Sequence, residues 1–252
     1  MTNPILRTRG LFKRFGGLVA TDRLDLEVQP TELHAIIGPN GAGKTTLINQ
    51  LVGEIAPDEG VVEFDGHDIT GLATHRRALR GLSRSYQITS VFPDFTALEN
   101  VALAAQAHDG HSFGVWQPAI QQERLTKPAA AALDEVGLGS RAELKASALA
   151  HGERRQLELA MALVSKPKLL LLDEPMAGMG RHESEMMVRL LASLKGRYAI
   201  LLVEHDMDAV FALADRITVM VYGRKIASGP PEVIRSSIEV KKAYLGERYA
   251  QR

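Results

Sequence analysis

Gly38-Pro39-Asn40-Gly41-Ala42-Gly43-Lys44-Thr45-Thr46 is the stretch on which the reading of this chain turns. Its spacing is G-x-x-x-x-G-K-[ST]. The glycines of such a loop let the backbone turn tightly and aim its N–H groups inward, as a nest for phosphate oxygens. Lys44 is then expected to reach the β- and γ-phosphates of a nucleotide, and Thr45 to set its hydroxyl on Mg²⁺. Leu33-His34-Ala35-Ile36-Ile37, just upstream, reads as a buried strand feeding the loop. Residues 45–51, just downstream, read as a helix whose positive dipole end lies under the same phosphates.

Working outward, residues 5–15 and 22–28 read as strands of an antiparallel layer joined at Gly16-Gly17, and 61–66 as another strand ending in a turn. Residues 81–86 read as a short strand with Gln87 at its end. From 98 to 138 the pattern becomes Ala-rich and helical. Breaks are expected near His108-Asp109-Gly110, at Pro118 and at Pro128, with a helix over 129–136 stopped by Gly137. Residues 153–164 form an amphipathic pattern, and 168–172 a continuous apolar strand closed by Asp173-Glu174. Residues 182–194 predict a helix with Met186, Met187, Leu190, Leu191 and Leu194 on its buried side. Residues 198–203 predict a further buried strand, followed by Glu204-His205-Asp206 and a helix. Strands alternating with helices argue an α/β fold with a mostly parallel core sheet.

Composition narrows the classes. The 252 residues are 45% hydrophobic and 24% charged, as in a globular protein able to bury a full core. The formal net charge is +0, so no global basic field holds nucleic acid. With no Cys there are neither disulfides nor thiolate metal sites. The N-terminus lacks the apolar core of a signal peptide, and no run reaches the roughly 18 apolar residues a spanning helix needs. A membrane role is therefore expected to come through a partner.

Asp173, at the end of an apolar strand, can hold Mg²⁺ through water, and Glu174, one residue further out, can polarise an attacking water. Gln87 can place its amide oxygen on the metal or the water, and His205 can contact a γ-phosphate.

This ordered set resembles the ATP-binding cassette (ABC) ATPases over essentially the whole chain. The residues that carry the resemblance are the phosphate loop, Gln87, Leu149-Ala150-His151-Gly152-Glu153, residues 169–174, Ala177-Gly178-Met179-Gly180 and His205. The resemblance implies a P-loop NTPase with an N-terminal antiparallel layer and a helical subdomain. Its expected organisation is one domain over 1–252: core 1–87 and 160–235, helical subdomain 88–159, tail 236–252. It implies ATP and Mg²⁺ as ligands, with Lys44, Gln87, Glu174 and His205 catalytic. Thr45, Gln87 and Asp173 would hold the metal. Gly38 to Thr46 would bind phosphate, and Phe15 would stack on adenine.

Ala150, His151, Gly152 and Glu153 would form the signature that meets the γ-phosphate of ATP bound to a second ATPase subunit, in a homo- or heterodimer. This chain departs from the family there: Ala150 stands for a Ser, His151 for a Gly, and Gly180 for an Asp in the adjacent motif. A lost hydroxyl contact to a charged group costs of order 1.5–3 kcal/mol.

Within the family, Phe15-Gly16-Gly17-Leu18-Val19-Ala20, residues 92–101, Ala177-Gly178-Met179 and residues 240–247 look like the importers of branched-chain amino acids, whose relatives serve urea or short amides. The lipopolysaccharide-export ATPases share the Tyr244-Leu245-Gly246-Glu247 ending, so export, or a soluble non-transport ATPase, are the alternatives. The resemblance implies a peripheral place on the cytoplasmic face of the inner membrane. A permease helix would dock in a groove near Gln87, Phe92 and Phe95. A solute-binding protein would act indirectly, and no nucleic acid is expected.

Overall fold

The computed structural model describes residues 3–85, 91–108 and 122–244. Two sheets run through the described residues. The first is antiparallel, in the order β2-β1-β4-β5, from β1 (Leu6–Phe15), β2 (Leu18–Val28), β4 (Glu59–Phe64) and β5 (His67–Asp68). The Gly16-Gly17 turn closes a hairpin with Phe15 opposite Leu18, so β2 starts four residues before the expected 22. Gly16, at φ 58, supplies the left-handed residue such two-residue turns demand.

The second sheet runs β10-β9-β3-β8-β7-β6. Its strands are β3 (Leu33–Ile37), β6 (Leu82–Ser85), β7 (Leu169–Asp173), β8 (Ala199–Val203), β9 (Arg216–Val221) and β10 (Arg224–Gly229). All neighbours are parallel except β9 and β10, which form an antiparallel hairpin at the edge. The sequence reading did not extend to these last two strands.

Alternation along the central strands builds two cores, one on each face. Ile36, Leu169, Leu171, Ala199, Leu201 and Val203 face the antiparallel sheet and α1 (Lys44–Val52), which contributes Leu47, Ile48 and Leu51. Leu33, Ala35, Ile37, Leu170, Leu172, Ile200 and Leu202 face the other helices. These are α3 (Ala97–His108), α4 (Glu123–Glu135), α5 (His151–Leu163), α6 (Arg181–Leu194) and α7 (Met207–Leu213), after the short α2 (Thr74–Leu79). The helices α8 (Pro231–Ser236) and α9 (Ile238–Tyr244) complete the described chain.

Two local expectations change. Pro128 does not break a helix but lies inside α4. The carbonyl its missing N–H would have met is that of Arg124, in the exposed first turn, where water can serve it. Met186 is 41% exposed, while Met187, one residue and about 100° further round the helix, is buried. The expected core boundary at 160 falls within α5, so one helix carries the chain across it. Pro118 and Gln87 lie outside the described residues.

Candidate functional site

The carboxyl ends of β3, β8 and β7 are adjacent in the sheet, and β6 flanks β7. Open α/β sheets bind ligands at such ends. Here the phosphate loop follows β3, His205 follows β8, and Asp173 and Glu174 close β7.

The loop has no room for larger residues at two points. A Cβ on Gly38 would collide with the carbonyl oxygen of Met220 on β9, and one on Gly43 with that of Ala20 on β2. Gly43 also has φ 98 and is the cap from which α1 departs. Ala42 N–H donates to Pro39 O at 3.1 Å, closing the turn. Lys44 is buried, and its Nζ donates to the carbonyls of Gly38 (2.6 Å) and Pro39 (3.1 Å). Burial pulls the Lys44 pKa down, against the attraction of Glu174 and Asp173. The ammonium therefore shares one field with both carboxylates.

Asp173 is 3% exposed. Its Oδ2 accepts from Arg84 Nη2 at 3.3 Å, while Arg84 Nη1 donates to Asn49 Oδ1 and Glu54 Oε2, each at 2.9 Å. Its Oδ1 is buried and meets no donor among the described residues. Burial raises the Asp173 pKa, Arg84 opposes the rise, and Glu174 adds to it. A buried carboxylate oxygen with no donor, beside a second carboxylate, is suited to a hard cation.

Glu174 adopts φ 51, a left-handed conformation, and its N–H donates to Val203 O at 2.8 Å. Its Oε1 lies 3.9 Å from His205 Nδ1. Asp206 caps α7 by accepting from the N–H groups of Asp208 and Ala209, which starts that helix just beyond His205. The sequence reading assigned no role to Glu204, which is 1% exposed. Its only signal was a charged residue following a fully apolar strand.

The signature segment opens α5, with Ala150 as the cap. An alanine has no side-chain acceptor, so only the reverse half of a capping box forms: Ala150 N–H donates to Glu153 Oε2 at 2.9 Å. Gly152 N–H donates to Glu183 Oε1 at 3.1 Å, and the other oxygen of Glu183 accepts from Gly180 N–H at 3.0 Å. Those two bonds hold the Glu183 carboxyl below its usual pKa. His151 Nε2 lies 3.4 Å from Ala177 O. Ala150 to Glu153 thus sit on a different surface feature from the phosphate loop, beside a cavity of about 230 Å³ that also touches Met179 and Met186.

Phe15 is 47% exposed at the end of β1, so it is not a core residue. Lys13 Nζ lies 5.5 Å from the centre of its ring. Phe92 and Phe95 are also half exposed and stack at 5.2 Å between ring centres. Fully buried Asn100 fixes the loop that carries them: Oδ1 accepts from Phe92 N–H at 2.8 Å, and Nδ2 donates to Phe92 O and Thr96 O. The sequence reading did not single out Asn100.

A family model described as ABC transporter matches residues 21–177. A second, described as branched-chain amino acid ATP-binding cassette transporter, matches residues 224–250. The chain is 40% identical to the high-affinity branched-chain amino acid transport ATP-binding protein BraF of Pseudomonas aeruginosa, over 98% of this chain and 100% of the relative. It is equally similar, with the same coverage, to LivG of Escherichia coli, which carries the same description. Among solved structures, the ADP conformation of an ATP-binding cassette of an ABC transporter superimposes with a TM-score of 0.85 at 29% identity. That match covers 97% of this chain and 100% of the other.

Proposed function

As this chain belongs to the ABC transporter family of ATP-binding cassettes, ATPases that power transport, we propose that it drives import of branched-chain amino acids. Support for this cargo is the full-length 40% identity to BraF and LivG together with the match at 224–250.

For the chemistry, the observation that carries the reading is the meeting of Lys44, Asp173 and Glu174 at one end of the sheet. The triphosphate lies along the loop, and Lys44 exchanges the carbonyls of Gly38 and Pro39 for phosphate oxygens. Adenine stacks on Phe15. Thr45 and the Oδ1 of Asp173 offer hard oxygen donors for Mg²⁺, with Gln87 a third on the strength of its position after β6. Mg²⁺, when bound, neutralises charge on the transferring phosphoryl group. Glu174 orients and deprotonates the attacking water, and His205 contacts the γ-phosphate.

A second ATPase subunit, identical or related, presents its Ala150–Glu153 segment to the same nucleotide, and two-fold pairing makes two such sites. Glu183 holds the Gly152 N–H in this form, so the incoming phosphate competes with a carboxylate. Ala150→Ser supplies both a cap and a phosphate donor. In a Glu174→Gln background it tightens ATP-driven dimerisation about tenfold or more, for a gain of about 1.5–3 kcal/mol. Light scattering against ATP concentration reads this. An unchanged midpoint would remove the segment from the shared site.

No described helix is long and apolar enough to cross a membrane. We place the chain on the cytoplasmic face through permease subunits, with a solute-binding protein supplying cargo on the other side. The stacked Phe92–Phe95 pair, held by Asn100, is the proposed seat for a permease helix. Phe92→Asp with Phe95→Asp should release the chain from detergent-solubilised permease while phosphate release by the isolated chain stays within about twofold, since aromatic anchors carry interface energy. Retained complex would place the docking surface elsewhere.

The function itself is tested by deleting the chain in its host and following labelled leucine uptake. Loss of leucine uptake supports the cargo. Loss of urea or amide uptake reassigns it, and stranded lipopolysaccharide in the inner membrane reverses the direction.

A further inference from the structure

The scheme above leaves Glu204 without a task, although it is a carboxylate with 1% exposure. Burying such a group costs several kcal/mol unless both oxygens are met. They are met by N–H groups from two different turns. Oε1 accepts from Met176 at 3.1 Å, two residues beyond Glu174. Oε2 accepts from His205 at 2.9 Å. The preceding residue makes the neighbouring link, Val203 O accepting from Glu174 N–H at 2.8 Å. The turn that carries Glu174 and the turn that carries His205 are thus laced together at two successive points. Glu204 Oε2 is also 3.7 Å from His205 Nδ1, on the same ring nitrogen that lies 3.9 Å from Glu174.

Two features give the lacing work to do. Glu174 sits at φ 51, a conformation that persists only where its surroundings over-determine it. The His205 side chain is 62% exposed, so its own packing does little to hold it. We propose that Glu204 is a positioning residue for ATP hydrolysis: its buried carboxylate fixes the turn bearing Glu174 relative to His205. This rests on the catalytic roles given above to those two residues.

The test compares kcat and the equilibrium Kd for ATP in wild type, Glu204→Gln, Glu204→Asp, His205→Ala and the Glu204→Gln/His205→Ala double variant. Gln keeps the volume but offers one acceptor oxygen where the N–H groups of Met176, His205 and Asp206 meet the two oxygens of the carboxylate. The expected result is a kcat roughly tenfold or more lower with Kd within about threefold, since the loss falls on the transition state. Glu204→Asp, which keeps two acceptor oxygens, regains part of the lost kcat. In the His205→Ala background, Glu204→Gln costs less than about threefold, because residues that act as a unit are not additive.

A Glu204→Gln kcat within about twofold of wild type overturns the proposal, and so does a loss that multiplies undiminished in the double variant. A parallel fall of kcat, ATP affinity and melting temperature also overturns it, by showing a purely structural role. If Glu204→Gln does not fold, Glu204→Asp carries the same cycle with the same criteria. A wild-type protein without Mg²⁺-dependent ATP turnover would instead sink the catalytic reading beneath it.

Discussion

Glu174→Gln lowers the rate of ATP hydrolysis by roughly 10²–10⁴ and leaves ATP affinity within a few fold, the effect of removing a general base. The geometry separates the two quantities. In the proposed scheme nucleotide binding rests on the loop at 38–43 and on Lys44, whose Nζ is held by Gly38 and Pro39. Glu174 forms no hydrogen bond with either among the described residues, and its N–H is tied to Val203 on the neighbouring strand. Gln keeps the shape and the left-handed backbone of the site, so binding survives. It also removes a negative charge that acts on both Lys44 and Asp173. The Asp173 carboxyl loses one cause of its raised pKa, and a bound cation loses one neighbouring anion. The check is single-turnover phosphate release at saturating Mg²⁺-ATP, beside equilibrium binding of ATP. Turnover near the wild-type rate would remove Glu174 from the chemistry. A collapse of affinity would make it a binding residue.

What the sequence disclosed follows from where the constraint is local. The phosphate loop was legible because its backbone path forbids side chains at Gly38 and Gly43, where a Cβ would strike Met220 O and Ala20 O. Even so, the reason for each glycine lies on β9 and β2, which no local pattern names. Asp173 and Glu174 were legible as charges ending an apolar strand. The outer strand of the β9–β10 hairpin, Arg224–Gly229, escaped because only one of its six residues is buried and it lacks a buried strand's signature, whereas β9, Arg216–Val221, carries a plain apolar run that the reading passed over. Pro128, the sixth residue of α4, misled because the one helical bond it removes reaches back only to the exposed first turn. Glu204, Asn100 and Arg77 were invisible for a common reason. Each is a buried polar side chain whose partners are mostly backbone groups brought to it by the fold. Sequence spacing does not encode such partners.

Arg77→Met costs about 3–5 kcal/mol of folding stability, as removal of a buried, fully engaged cation does. Arg77 is 1% exposed on α2 and donates to four backbone carbonyls. Two are those of Gln50 and Leu51 at the end of α1, at 2.8 and 2.7 Å. The others are those of Thr70 and Leu72 in the segment before α2, at 2.8 and 2.9 Å. The carbonyls that end a helix have no partner within it, and the guanidinium both satisfies them and complements the negative end of the dipole. Burial pulls the Arg77 pKa down, with Asp68 opposing, yet a guanidinium stays charged throughout the working range. Gly53 is part of the same device, since its Cβ would lie 2.7 Å from Arg77 Nε. Methionine fills most of the space but strands the carbonyls of Leu51, Thr70 and Leu72, while Gln50 O keeps only the Gly53 N–H at 3.3 Å. The expected drop in melting temperature is roughly 10 °C for a chain of this size. ATP should restore part of it by mass action, because the far end of the same helix carries the phosphate loop. Urea unfolding with and without Mg²⁺-ATP measures both effects. A loss below about 1 kcal/mol would mean that water reaches those carbonyls once the arginine is gone.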